Sequence, residues 1–134
     1  MQLILTSSLF QDWFVLSALL LLTIPFWSSG LFKLANISAA LDEAEQLGLK
    51  PPLLVVIATI LVQLAGSLLV VTGQAAWFGA GGLAVFTAWA TLLAHPFWKQ
   101  TDPGTRSRQR TVFLEHLGLI GGLMLAATVS ELSR

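Results

Sequence analysis

Residues 52–72 read PLLVVIATILVQLAGSLLVVT, a stretch without Asp, Glu, Lys or Arg. About 20 mostly apolar residues in a helix cross the roughly 30 Å hydrocarbon core of a bilayer. The stretch is also framed like a helix. Pro51-Pro52 opens it where a missing N–H costs nothing, and Gly73 closes it where a left-handed cap is favoured. Three more runs of the same kind flank it, over about 13–34, 75–94 and 111–129. A soluble protein would need polar sequence to cover four such helices, and little is left over. The 134 residues are 55% apolar and only 10% charged, against about 25% charged in an ordinary soluble domain. The expected fold is therefore all-α, an integral membrane four-helix bundle in a single domain over 1–134.

The links between the runs differ in character. Pro25 lies inside the first run and should kink it, because it removes an N–H from the ladder. Only about Gly73-Gln74 separates spans two and three, which predicts a tight antiparallel hairpin. The link over 95–110 is polar and carries Pro103-Gly104, a turn signal. In the link over 35–51, Ile37, Leu41, Ala44 and Leu47 or Leu49 recur at helical spacing, while Asp42, Glu43 and Glu45 lie mostly elsewhere. That pattern predicts a short amphipathic interfacial helix, with Asn36 or Ser38 at its start and Gly48 at its end. An acidic solvated loop is the alternative. No Lys or Arg precedes the first apolar run, so a signal peptide is not expected there.

Composition also removes whole classes of function. Seven Lys+Arg balance seven Asp+Glu, which leaves no net charge to attract nucleic acid. There is no cysteine, hence no thiol relay or Cys-based metal or iron–sulfur site in the chain. His95 and the adjacent Glu115-His116 match no standard ligand spacing, so no metal site is expected.

Polar groups inside membrane helices are costly and usually face inward. Thr59, Gln63 and Ser67 repeat every four residues in span two, as do Thr87, Thr91 and His95 in span three and Pro25, Ser29 and Lys33 in span one. Glu115 and His116 open span four. These faces can line one narrow cleft, with candidates Ser29, Lys33, Gln63, Thr91, His95, Glu115 and His116. Gln63 falls near the midplane, and at least two of Lys33, His95 and Glu115 are expected to meet in a pocket above it. The bland alternative is that the hydroxyls bond their own helix carbonyls. Gly118 and Gly122, four apart, are expected to form a close-packing face. Trp13 and Trp77 mark one interface and Trp27 and Trp98 the other, with Trp89 expected in the core.

Five pieces of sequence recur together. They are Ser29-Gly30-Leu31-Phe32-Lys33; Leu47-Gly48-Leu49-Lys50-Pro51; Gln63 with Gly66-Ser67-Leu68-Leu69 and Gly73; His95-Pro96-Phe97-Trp98; and Phe113-Leu114-Glu115-His116-Leu117-Gly118 with Gly121-Gly122. In this order they resemble the DoxX family of small four-helix membrane proteins, over about residues 14–128. Two positions depart from the family's common pattern, which has Glu where Gln63 stands and often Asn where His116 stands. The resemblance implies ties to quinone, sulfur and oxidative-stress chemistry, since the family is named after a thiosulfate:quinone oxidoreductase subunit. Gln63 offers an amide in place of a proton-accepting carboxylate.

Three functions fit these features. The first is a quinone- or lipid-headgroup-binding accessory subunit of a redox system, with quinone as a non-covalent ligand. Lacking a redox centre of its own, the chain would then act only as part of an oxidoreductase, beside a redox protein partner. The second is a non-enzymatic anchor or assembly partner for a soluble protein. The third is a small transporter, which would require a homo-oligomer.

Charge sets the expected orientation. Lys33, Lys50, Lys99, Arg106, Arg108 and Arg110 fall on the side of the links after spans one and three, against Arg134 alone on the other side. An excess of Lys and Arg marks the cytoplasmic face. In a cell inner membrane both termini would then be periplasmic. A reporter fused to the C-terminus should accordingly be active in its periplasmic form and silent in its cytoplasmic form. Converting Arg106, Arg108 and Arg110 to Gln should erode that bias. A cytoplasmic C-terminus in the unaltered chain would refute the assignment.

Overall fold

The computed structural model describes residues 2–132, with side chains over 12–132. Arg134, the one cation expected on the far side, lies outside the described residues. Five α-helices follow one another: α1 (Gln2–Ala35), α2 (Ile37–Gln46), α3 (Pro52–Thr72), α4 (Ala76–Ala94) and α5 (Pro103–Leu132). A short 3-10 turn, Phe97–Lys99, joins α4 to α5. No strand occurs among the described residues. α1 from Asp12 onward, α3, α4 with its following turn, and α5 are each long and apolar enough to cross a membrane. The chain is a four-helix membrane bundle with α2 as a short fifth element.

Local chemistry explains the boundaries. α3 begins with a proline in its first turn and ends on Gly73 at φ 76°, the left-handed geometry that glycine adopts without cost. α2 stops at Gly48, φ 75°, where the Leu49 N–H returns to the Ala44 carbonyl at 3.0 Å. Asn36 precedes α2 but caps nothing with its side chain; its Nδ2 donates back to the Phe32 carbonyl instead.

α5 departs from expectation. It starts at Pro103 rather than near Thr111, so Pro103-Gly104 begins a helix instead of turning a loop. The reason is Asp102. Its Oδ2 accepts from both the backbone N–H and the hydroxyl of Thr105, each at 2.9 Å. Those two bonds, the backbone one first, hold the Asp102 carboxyl below its usual pKa. Proline in the first turn, after a capping Asp, is a favoured helix start. Arg106, Arg108 and Arg110 therefore ride on the first turns of α5.

The helices pack in the order α1, α3, α4, α5, with α1 and α5 touching sparingly. Phe26, Val70, Ala80, Leu83, Leu123 and Ala126 form the shared core. The closest approach lies between α3 and α4. A Cβ on Gly79 would stand 2.8 Å from the Gly66 carbonyl oxygen, and one on Gly66 would stand 2.8 Å from Leu83 Cγ. Gly30 on α1 is likewise pressed against Leu64 of α3, at 2.9 Å. Small residues let membrane helices approach so closely that backbone packing replaces the absent hydrophobic drive. Across from this, α2 lays Ala40 and Ala44 onto Val56 and Ile60 of α3.

The expected glycine face on α5 is only half present. A Cβ on Gly122 would meet Leu22 at 2.9 Å, but one on Gly118 meets nothing within 4 Å. Gly118 is exposed because it lies on the side of α5 that no neighbour covers, while His116 and Leu119 of the same turn face inward. Gly79→Ala should therefore destabilise the bundle by about 1–3 kcal/mol, since the opposing backbone oxygen cannot retreat as a side chain can. Gly118→Ala should be neutral, or stabilising by up to about 1 kcal/mol from helix propensity alone. Melting in detergent measures both; equal losses at the two positions would contradict this packing.

Candidate functional site

Where α1 and α5 separate, at the end that carries most of the cations, the bundle encloses a cavity of about 320 Å³. Pro25, Phe26, Ser29 and Lys33 of α1 form one wall and Val55, Val56, Thr59 and Gln63 of α3 another. α4 contributes Phe86, Thr87, Trp89, Leu93 and His95, and α5 contributes His116 and Leu119. α2 covers the side with Ala40, Glu43, Ala44 and Leu47. The amphipathic link is thus a structural wall of the cavity.

Two polar groups sit inside this mostly apolar shell. On the α1–α3 side, Lys33 Nζ donates to Ser29 Oγ at 2.5 Å, one helical turn away. Gln63 Nε2 donates to the same oxygen at 3.3 Å. Gln63 is only 5% exposed, and its Oε1 has no hydrogen-bond partner. A buried acceptor left unpaired costs about 1–3 kcal/mol. Glu43 lines the same space and acts electrostatically on Lys33.

On the α4–α5 side, His95 and His116 stand edge to face with ring centroids 5.4 Å apart. His116 Nδ1 bonds the Thr91 hydroxyl at 2.7 Å, and His95 Nδ1 bonds Gln109 Oε1. The pair is brought together by the turn after α4. Phe97, Trp98 and Phe113 stack edge-on at 5.3–5.9 Å and tie that turn to α5.

Of the residues expected in the cleft, Ser29, Lys33, Gln63, His95 and His116 line the cavity. Thr91 is buried behind His116 and reaches the cavity only through it. Glu115 is exposed and does not line the cavity. It and His116 are neighbours in sequence, so their side chains diverge by about 100° around the helix and one must turn away. Trp89 is 45% exposed and stands at the cavity's edge, not in the core. Of the other stripe hydroxyls, Ser67 donates to the Gln63 carbonyl at 2.6 Å and Thr87 to that of Leu83 at 2.7 Å, while Thr59 lines the cavity.

Gln109 was not among the expected residues. Within R-S-R-Q-R it reads as part of a charged link. Its signal is its spacing, seven residues before His116, which puts both on one helix face once α5 is known to start at Pro103.

A family model described as DoxX matches residues 14–96. The chain belongs to the DoxX family. No curated protein and no solved structure matches it. The matched stretch of this DoxX chain includes Ser29, Lys33, Gln63, Thr91 and His95 and ends before α5. Gln109, Glu115 and His116 therefore lie beyond it, as does the Phe113–Gly122 piece of the resemblance.

Ser29 is the shared acceptor of Lys33 and Gln63, so its loss should unpair both. Ser29→Ala should lower stability by about 1–3 kcal/mol. Ser28→Ala should change little, because that hydroxyl is exposed and bonds only the Ile24 carbonyl of its own helix. Thermal unfolding of the two variants in one detergent makes the comparison. Indistinguishable melting would mean that the Lys33–Ser29–Gln63 contact carries no weight.

Proposed function

We propose that this DoxX protein binds a quinone headgroup, or a lipid headgroup of like size, in the cavity between α1, α3, α4 and α5, and serves a membrane redox system as an accessory subunit. The observation that carries this reading is Gln63: a nearly buried amide whose oxygen has no partner, beside a half-buried lysine, in the wall of a cavity. An amide oxygen only accepts, so Gln63 Oε1 gains a hydrogen bond when a ligand hydroxyl arrives, as on a reduced quinone ring or a lipid headgroup. Small-molecule sites are commonly apolar clefts with a few placed polar groups.

Size favours a headgroup over a whole lipid. About 320 Å³ is near the lower end of ligand cavities, roughly 300–1,000 Å³. A ring fits that space, and an isoprenoid tail would leave between α1 and α5, where the helices touch least. Lys33 can donate to a ring oxygen, while the two imidazoles can exchange its protons. The chain has no cysteine to relay electrons, so a redox partner protein would supply them. With the cation-rich end in the cytoplasm, the ring would sit near the inner leaflet of a cell inner membrane and both termini would be periplasmic.

Mass spectrometry of lipids extracted from the purified protein tests this. A quinone should be retained at a fixed ratio through detergent washing. Gln63→Leu should lower retention about tenfold, the worth of one hydrogen bond of about 1.4 kcal/mol. Retention of bulk lipid alone, unchanged in the variant, would overturn the reading in favour of a non-enzymatic anchor.

A further inference from the structure

The hydrogen bonds behind the two histidines decide which form of a ring ligand the cavity suits. The Thr91 hydroxyl has one proton and donates it to the Thr87 carbonyl at 2.5 Å. It can then only accept from His116, at 2.7 Å, so the proton of neutral His116 resides on Nδ1. Gln109 Oε1 can only accept, so neutral His95 also carries its proton on Nδ1. Neither Thr91 nor Gln109 lines the cavity, whereas both imidazoles do. The ring edge left for the cavity is the one that bears Nε2, and in both histidines that atom offers a lone pair. Gln63 Oε1, buried and unpaired, is a third acceptor on the same cavity.

The cavity's polar inventory is thus lopsided. With the Glu43 carboxylate, four acceptors await a donor; Lys33, one of its three N–H groups engaged with Ser29, is the cation among the lining residues, and Thr59 adds a hydroxyl. A quinone brings two carbonyl oxygens, which only accept. A hydroquinone brings two hydroxyls, which donate. We infer that the cavity selects the reduced, hydroxyl-bearing form of its ring ligand, with Thr91 and Gln109 as positioning residues that hold His116 and His95 in the Nδ1–H tautomer. This rests on the headgroup-binding reading above and adds to it the class of ligand: a dihydroxy aromatic ring, bound through its O–H groups.

Duroquinone and its hydroquinone are tailless probes of the two forms. Equilibrium dialysis against the full-length protein in detergent, under anaerobic conditions, gives both affinities. The hydroquinone should bind at least about tenfold more tightly, one net hydrogen bond's worth. Thr91→Val removes the acceptor for His116 Nδ1 and frees that ring to place its proton on Nε2. It should weaken the hydroquinone about tenfold and leave duroquinone as tightly bound or tighter, since a protonated Nε2 can donate to a carbonyl. Nitrogen NMR of ring-labelled histidine supplies a readout that a purely structural role would not move. Both rings should show a protonated Nδ1 in the parent protein, and His116 should shift toward protonated Nε2 in Thr91→Val.

The outcomes separate the two readings. Equal or tighter binding of duroquinone overturns the selectivity for the reduced form and leaves headgroup binding intact. Binding of neither probe overturns both. A protonated Nε2 on both histidines of the parent protein overturns the tautomer assignment, whatever the affinities.

Discussion

The bundle turns on the contact between Gly66 and Gly79. A lipid interior offers helices little hydrophobic reason to associate, so close backbone approach must provide the attraction. At this point α3 and α4 lie so near that neither position has room for a Cβ. Leu83, fully buried, fills the adjoining space and joins the core that reaches Phe26 and Leu123. α1 then seats on α3 through Gly30, and α5 seats on α4. The two outer helices are each held to the central pair far more than to one another. Their separation at the cation-rich end is what leaves the cavity.

Hydrogen-bond accounting explains why chemistry gathers there. Most hydroxyls in the spans bond the carbonyl one turn back, as Thr23 does with Leu19 at 2.7 Å, and so need nothing from a neighbour. Longer side chains cannot close on themselves in this way. Gln63, His95 and His116 reach across to other helices, Lys33 bonds the Ser29 hydroxyl one turn back, and each of the four lines the cavity. Membrane burial makes such groups expensive, and lying together around one space is the arrangement that lets a single ligand serve several. α2 contributes by closing the side, its small Ala40 and Ala44 allowing it to lie flat on α3.

Position 63 ties the family and the individual chain together. It lies inside the stretch that defines the chain as DoxX, yet it carries an amide. An amide cannot take up a charge as a carboxylate can, so the groups on this cavity able to gain and lose a proton near neutrality are the imidazoles on α4 and α5. His95 lies inside the matched stretch and His116 outside it.

The spans and the helical class followed from the sequence because hydrocarbon thickness imposes a length and forbids charge, and both are written locally. The ends of α3 at Pro52 and Gly73 were legible for the same local reason. The start of α5 was not. Pro103-Gly104 signals a turn in isolation, and only Asp102 folded onto Thr105 makes it a helix start. Which face of a helix meets a neighbour was likewise undecided by periodicity. Gly118 and Gly122 look alike in the chain, but only Gly122 touches another helix. Glu115 and His116 are adjacent polar residues, and the position of α4 determined that His116 turns inward while Glu115 faces out. Sequence specified which residues are costly in a membrane; tertiary packing decided which of them share a cavity, because that depends on where separate helices come to rest.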